Sequence, residues 1–109
     1  MAKTYKVIAQ SSPDANTNTN LYTVSENTQS VISTLTVCNI GSSAATYRIA
    51  VRPNGETLAN KHYIAYNASV PANDTITLTL GLTVDSTDII TVYSSSASVS
   101  FGVFGSEIV

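Results

Sequence analysis

Residues 74–82 read DTITLTLGL, and this stretch decides the fold class. Its apolar residues alternate with threonine or glycine, so every second side chain is hydrophobic. Successive side chains of a β-strand point to opposite faces of the sheet, whereas a helix would need apolar residues spaced three and four apart. The stretch therefore predicts a strand with a hydroxyl-rich face and an apolar face, and we expect Leu78 and Leu80 to point into a core.

The same two-residue period recurs on both sides of this strand. It is clearest over residues 45–52 and 98–103. Further strands are predicted at residues 4–9, 31–38, 63–70 and 89–93, with a weaker candidate at 21–24. In residues 31–38, one parity carries Val31, Leu35 and Val37, and the other carries Ile32 and Cys38. That strand is therefore expected to be buried on both sides.

Short turn-forming segments separate these strands at residues 39–43, 52–55, 70–74 and 85–88. Pro53 fixes a φ angle that suits a tight turn, and Asn54-Gly55 behind it accepts positive φ. No helical period is visible. Strands joined by short loops predict an all-β, antiparallel β-sandwich of about seven or eight strands, jelly-roll or immunoglobulin-like in layout. A closed barrel is the alternative.

The 109 residues fit one domain, residues 1–109. Residues 10–20, QSSPDANTNTN, contain almost nothing that a core could use. They predict either a solvated polar loop behind the first strand or an arm that orders against a neighbouring subunit.

The composition limits the partners. Five Lys and Arg against seven Asp and Glu give a net charge of −2, which argues against a nucleic-acid partner. Charged residues make up only 11% of the chain, so its 15 Ser, 15 Thr and 9 Asn must provide most of the solvation. No apolar run is long enough for a membrane helix, and the N-terminus lacks the apolar segment of a secretory signal. A single cysteine excludes an intrachain disulfide and suits a protein made in reducing cytosol.

Residues that could carry chemistry are few. His62 is the only histidine, and we expect it at the surface or a sheet edge. Cys38 is expected to be a small buried hydrophobe rather than a thiolate. Asp85 and Asp88 favour a turn with side-chain capping over a calcium site, because the remaining ligands of a calcium loop are missing. The sequence thus predicts no catalytic, cofactor-binding or metal-binding residues, and no cofactor.

The aromatic residues divide into two groups. Tyr47, Tyr66 and Phe101 fall on apolar parities and are predicted to lie in the core. The positions of four other tyrosines stay open: Tyr5, Tyr22, Tyr63 and Tyr93. A surface tyrosine can stack on a sugar or anchor a protein interface, but the absence of Trp weakens a carbohydrate-binding interpretation.

Several segments resemble small virion structural proteins of tailed bacteriophages, especially those of cyanophage type. The resemblance is carried by residues 33–39 (STLTVCN), 45–53 (ATYRIAVRP), 60–66 (NKHYIAY), 70–75 (VPANDT) and 104–108 (FGSEI). These are strand and turn sequences, so they identify no site residues. The resemblance implies a β-sandwich protein incorporated in the virus particle, as a capsid decoration or cement protein or as a tail component.

The leading hypothesis is therefore a non-enzymatic phage structural protein that stabilises the head, located in the virion and assembled in the host cytoplasm. The expected partners are phage capsid or tail proteins and further copies of the chain, with no nucleic acid and no membrane. Self-association is expected because few lysines guard the sheet edges, with residues 10–20 as the segment that reaches across. The alternative is a tail- or fibre-associated module with host-surface carbohydrate binding, and a hydrolase is a hypothesis from another class.

Overall fold

The computed structural model describes residues 3–79 and 81–109. The all-β prediction is confirmed. The described residues form nine strands: β1 Lys3–Ser11, β2 Thr19–Thr23, β3 Gln29–Asn39, β4 Ala45–Arg52, β5 Tyr63–Val70, β6 Asp74–Leu78, β7 Leu82–Val84, β8 Ile89–Ser94 and β9 Val99–Ile108. A tight turn at Pro53–Gly55, closed by a hydrogen bond from the Glu56 N–H to the Pro53 carbonyl, and a single 3₁₀ turn at Asn60–His62 lie between β4 and β5.

The strands form two antiparallel sheets packed as a sandwich. One sheet has the order β1-β9-β3-β6, with β7 also paired to β3, and the other has the order β2-β8-β4-β5. Because β6 and β7 pair with successive parts of β3, they are two halves of one interrupted strand. When β6 and β7 are counted as one strand, the pairing is nested. β1 pairs with β9, β2 with β8, β3 with β6 and β7, and β4 with β5. This nesting is the jelly-roll arrangement, one of the two layouts that the sequence left open.

The core lies between the two sheets and is built from the alternating residues of their inner faces. The alternation predicted over residues 45–52 and 98–103 is confirmed, and Tyr47 meets Phe101 edge to face at 6.5 Å between ring centroids. The largest side chains that are completely buried are Ile32, Leu35, Ile49 and Ile90. Burying each such side chain stabilises the fold by about 1.5–3 kcal/mol.

The stretch at residues 74–82 is not one continuous strand. β6 ends at Leu78 and β7 begins at Leu82. Gly81 has φ of +61°, a left-handed conformation that glycine adopts without steric cost and that interrupts the extended chain. The predicted parity is confirmed in β6, where Leu78 is half-buried against the core and Thr77 is exposed. Leu80 lies outside the described residues.

A register shift in β3 changes which of its side chains face the core, in a way that strict alternation does not show. In β3 the register shifts at Ser33, so Ile32 and Leu35 both face the core. The expected inward position of Val31 is wrong, since that side chain lies on the outer face and is exposed. Cys38 is only half-buried, not the buried hydrophobe that was expected, because it lies on the outer face of the sheet.

Most of the non-glycine residues with a left-handed backbone conformation in the described chain are asparagines. Of six non-glycine residues with positive φ in the described chain, five are asparagines: Asn16, Asn27, Asn54, Asn67 and Asn73. The turn prediction at Pro53 is confirmed, because Asn54 and Gly55 both have positive φ behind it. Asparagine tolerates this region better than other side chains do, so the high Asn content serves turns and bulges.

The polar segment of residues 10–20 is held against its own chain. Its ends belong to β1 and β2, and the connection Ser12–Asn18 runs between them. Pro13 is buried, and the Asn16 N–H donates to the Ser94 carbonyl at 2.7 Å. Contact of this segment with a neighbouring subunit stays a prediction.

Candidate functional site

His62, the one histidine, is part of the fold. It directly precedes β5, an edge strand, which agrees with the expected edge position. The residue is only 4% exposed, so the expected surface position is wrong. The imidazole Nδ1 accepts the Ala59 N–H at 3.0 Å, which leaves Nε2 to donate to Glu56 at 3.3 Å. This hydrogen bond from His62 lowers the pKa of the Glu56 carboxyl, with a smaller effect of the Lys61 charge. Both ring nitrogens therefore hold the loop before β5.

The carboxylates of the acidic turn at residues 85–88 accept hydrogen bonds from backbone N–H groups. The Asp88 carboxylate accepts the N–H groups of Asp85 and Asn54, each at 2.8 Å. Asp85 accepts the N–H of Ser86 at 2.7 Å. Within residues 3–79 and 81–109, no group of three or more His, Cys, Asp or Glu side chains is placed to hold a metal ion.

A cluster around Arg48 stands out on the outer face of the β2-β8-β4-β5 sheet. Arg48 pairs with Tyr93 of β8 on one side. On the other side the register with β5 shifts, so that Tyr66 and Asn67 together oppose Arg48. Asn67 has φ of 52°, which lets the strand bulge at this point. Arg48, Tyr66, Asn67 and Tyr93 are called the Arg48 site below.

The guanidinium group of Arg48 lies between two aromatic rings. Its carbon is 4.4 Å from the ring centroid of Tyr66 and 4.2 Å from that of Tyr93, both within cation–π range. Nε donates to Asn67 Oδ1 at 2.7 Å. Nη1 and Nη2 have no hydrogen-bond acceptor, and Arg48 has no acidic partner, in the described part of the chain. A cation is thus fixed in orientation while most of its donors stay unused.

A cleft adjoins the Arg48 site. It is lined by Asn60, Tyr63 and Tyr66 and has a volume of about 330 Å³. Tyr63 and Tyr66 meet edge to face, with ring centroids 4.9 Å apart. Tyr66 is 57% exposed, so its predicted core position is wrong. The bulge at Asn67 is the reason, because it turns Tyr66 to the outer face while Ala65 and Ala68 face the core.

The loop between β1 and β2 closes the other end of the Arg48 site. The Tyr93 hydroxyl donates to Asn16 Oδ1 at 2.8 Å. This bond, together with the backbone bond from Asn16 to Ser94, fixes the Tyr93 ring against Arg48. The one signal in the sequence that could have revealed the site is Asn67, a turn-forming residue in the middle of an alternating strand.

A second polar cluster joins the two sheets near one edge of the sandwich. The Tyr22 hydroxyl donates to Glu107 at 2.6 Å and contacts Ser30 Oγ at 2.6 Å. Lys6 forms an ion pair with the same carboxylate. Burial, with a further contribution from Glu107, raises the pKa of Tyr22 to about 12. Hydrogen bonding from Lys6 and then from Tyr22 lowers the pKa of Glu107. Each of the four side chains in this cluster has a partner within the cluster.

The outer face of the other sheet carries an apolar patch. Tyr5 is 76% exposed and Val7 51% exposed, and register places them beside Ser106 and Phe104 of β9. Val31 of β3 lies on the same face, opposite Ser106. Tyr5, Val7, Val31 and Phe104 are called the Tyr5 patch below.

No known family profile matches the chain, and no curated protein matches it. In a structure of infectious bursal disease virus, Gx strain, one chain aligns over 97% of this chain with a TM-score of 0.56 and 11% identity. This chain covers 32% of that viral chain, about a third of its length. At this identity the likeness is one of fold.

Two weaker likenesses were also found. The Anabaena sensory rhodopsin transducer aligns over 72% of this chain and 95% of its own, with a TM-score of 0.42 and 16% identity. A pentameric capsid protein from metagenomic phage sequences aligns over 93% of this chain and 60% of its own, with a TM-score of 0.32 and 20% identity. In the described residues, no helix has the length and hydropathy to cross a membrane.

Proposed function

We propose that this chain is a non-enzymatic structural component of a virus particle, and specifically a decoration or cement protein of a phage head. The observation that carries the proposal is the nested strand order of the sandwich, the jelly-roll order found in viral capsid domains as well as in lectins and cupins. The likeness to part of a viral chain over 97% of the length and the sequence resemblance to small phage virion proteins both support it.

The side chains that could do chemistry support a structural role. A cupin-type metal centre needs several histidines, and the one present holds its own loop through both ring nitrogens. Cys38 lies in β3 with no neighbouring His, because His62 is directed to Ala59 and Glu56. A nucleophile paired with a base is therefore not assembled around either residue.

Assembly contacts are proposed for the Tyr5 patch and the free edge of β1. β1 is the edge strand of its sheet, and most of its residues are exposed. An exposed edge next to an apolar face favours a neighbouring subunit, because association buries the face and pairs the edge. On a lattice, weak contacts of this kind add through avidity.

The first test locates the protein in the particle. Particles of the phage that encodes the chain are dissociated, heads and tails are separated on a gradient, and the protein is quantified in each. We expect it with the heads, in a copy number that fits icosahedral sites. Recovery with the tails supports the alternative, a tail- or fibre-associated module, and contradicts the decoration role. Absence from both fractions contradicts the whole proposal.

A second test addresses the assembly face. Val7→Ser replaces an exposed apolar residue of the Tyr5 patch, and Ile64→Ser makes the same kind of change at an exposed residue of β5, on the other sheet. We expect Val7→Ser to weaken binding to heads that lack the protein, and Ile64→Ser to leave it unchanged. Equal binding by both variants would exclude the Tyr5 patch as the assembly face.

A further inference from the structure

We propose that the Arg48 site and the adjoining cleft bind a sugar that carries a carboxylate, such as a uronic or sialic acid residue of a surface polysaccharide. This goes beyond a structural role in the particle, and it holds for a head or a tail location alike.

The carboxylate position follows from the arrangement of the guanidinium group. Tyr66 of β5 and Tyr93 of β8 lie on either side of Arg48, and its guanidinium carbon is within cation–π range of both rings. Asn67 uses the Nε donor, and Nη1 and Nη2 remain. Two parallel N–H donors in one plane match the two oxygens of a carboxylate. The rings and Asn67 hold this fork before a ligand arrives, which reduces the ordering cost of binding.

The sugar ring position follows from the cleft beside Tyr66. A volume of about 330 Å³ lies at the lower end of the range for ligand pockets, and the cleft is lined by two tyrosines and one asparagine. Tyrosine offers an apolar ring for the C–H face of a sugar and a hydroxyl at its tip. The Asn60 amide has two donors and one acceptor, a set that suits neighbouring hydroxyl groups. Tyr66 belongs to both the cleft and the Arg48 site, so the two adjoin, and the proposed ligand extends across the Tyr66 side chain from one to the other.

Other anions fit the site less well. A nucleic-acid backbone binds through many cations, whereas the Arg48 site offers one, in a chain of net charge −2. The cleft walls are aromatic and amide groups, which suit hydroxyls and C–H faces rather than a second charge. An acidic sugar uses both the cation and the walls.

The experiment is a titration of the full-length ¹⁵N-labelled protein followed through its backbone amide signals. The acidic probes are hyaluronan tetrasaccharide, alginate tetrasaccharide and 3′-sialyllactose. The neutral probes are chitotetraose and lactose, and a tetraglutamate peptide tests a carboxylate without a sugar. We expect at least one acidic sugar to shift the signals of Arg48, Tyr66, Asn67 and Tyr93 at concentrations up to about 10 mM, with neutral sugars and the peptide at least about tenfold weaker.

Matched variants decide which groups are responsible. Arg48→Lys keeps the charge and removes the planar fork, and we expect an affinity loss of about tenfold or more. Lys3→Gln removes a cation from β1 and should change nothing. Tyr66→Leu should weaken binding, while Tyr5→Leu, at another exposed tyrosine that also has a cation near its ring, should not.

The proposal is overturned by any of three results. One is the absence of shifts at the Arg48 site with all three acidic sugars. Another is equal binding of the neutral sugars or of the peptide. The last is undiminished binding by Arg48→Lys and Tyr66→Leu. Because Tyr66 is largely exposed, its variant is expected to fold and keeps the test decisive if Arg48→Lys does not.

Discussion

Two arginines on the same strand differ in how their donors are used. Arg48 and Arg52 have the same parity in β4, four residues apart on the outer face of one sheet. Arg52 donates from Nε to the Glu56 carbonyl at 2.7 Å and from Nη2 to the Gly55 carbonyl at 3.4 Å. Its Nη1 contacts the side-chain oxygens of Asn20 and Thr91, each at 3.2 Å. Among the described residues, the Arg48 side chain makes one hydrogen bond, to Asn67, and lies close to the rings of Tyr66 and Tyr93.

This difference separates a structural cation from one available for recognition. Hydrogen bonds from Arg52 connect the turn after β4 to β2 and β8, so these bonds contribute to the free energy of folding. Arg48 contacts two aromatic rings, and its Nη1 and Nη2 have no acceptor in the described part of the chain, so they can still donate to a ligand. The same side chain on the same surface thus serves the fold at one position and a ligand at the other.

The largest loss of stability is expected for a substitution on the inner face of β4, opposite the two arginines. It is the reference with which the arginine variants are compared. Ile49 is completely buried between them. Ile49→Ala should lower the free energy of unfolding by about 2–5 kcal/mol, because it removes buried methyl groups and leaves a cavity. Urea titration measures this. A loss no greater than that of the arginine variants would mean that the inner face of β4 is not the main source of its stability.

Arg52→Ala should have the next largest effect. The variant leaves two backbone carbonyls and two side-chain oxygens without their charged donor, and we expect a loss of about 1–3 kcal/mol in the free energy of unfolding. Arg52→Lys is the control, since lysine keeps the charge but cannot reach all four acceptors. Full stability of Arg52→Ala would contradict the structural role given to this residue.

Lys6 is a third cation to compare with the two arginines, because it forms an ion pair with the Glu107 carboxylate. The folded-state pKa of Glu107 lies below its ordinary value of 4.5, so the pair adds stability above that value and loses it as the pH falls through the folded-state pKa. Glu107→Gln should therefore lower stability by about 1 kcal/mol or less at pH 7. The difference from the unchanged protein should shrink below pH 4.5, as unfolding at several pH values will show. A difference that does not change with pH would exclude this ionisation as the cause.

Arg48→Ala should have the smallest effect on stability. Exposed cation–π contacts are worth about 0.5–1 kcal/mol, and the one hydrogen bond is to an exposed asparagine. Fixing the long side chain of Arg48 costs up to about 2 kcal/mol of rotamer entropy, which offsets much of the two contacts and the hydrogen bond. We therefore expect a loss of about 1 kcal/mol or less in the free energy of unfolding, measured beside Arg52→Ala under identical conditions. A larger loss for Arg48→Ala than for Arg52→Ala would reverse the comparison.

The strands were predictable because alternation reports which face is buried. Residues 45–52 and 98–103 have regular parity in the core, and their inward residues are the expected ones. Parity fails where a bulge adds a residue, as at Ser33, which moves Ile32 into the core and Val31 out of it. Alternation counts residues, whereas a bulge is decided by packing against the partner strand, so the sequence alone could not place these side chains.

The Arg48 site was hidden by the same effect. Arg48 has an outward parity in the sequence, but Tyr66 has an inward one, so strict alternation separates them. The bulge that makes Tyr66 and Asn67 oppose one residue brings all three together. His62 was misplaced for a related reason, because its burial comes from the turn Asn60–His62 folding back on Ala59 and Glu56, a local geometry without a periodic pattern.

The most direct test of the whole account is a map of the intact particle at a resolution that shows side chains. We expect the jelly roll at symmetry-related positions on the head, with the Tyr5 patch against a neighbouring subunit and the Arg48 site facing solvent. A map that shows the chain absent from the head, or the Arg48 site buried in a subunit contact while the Tyr5 patch faces solvent, would contradict it.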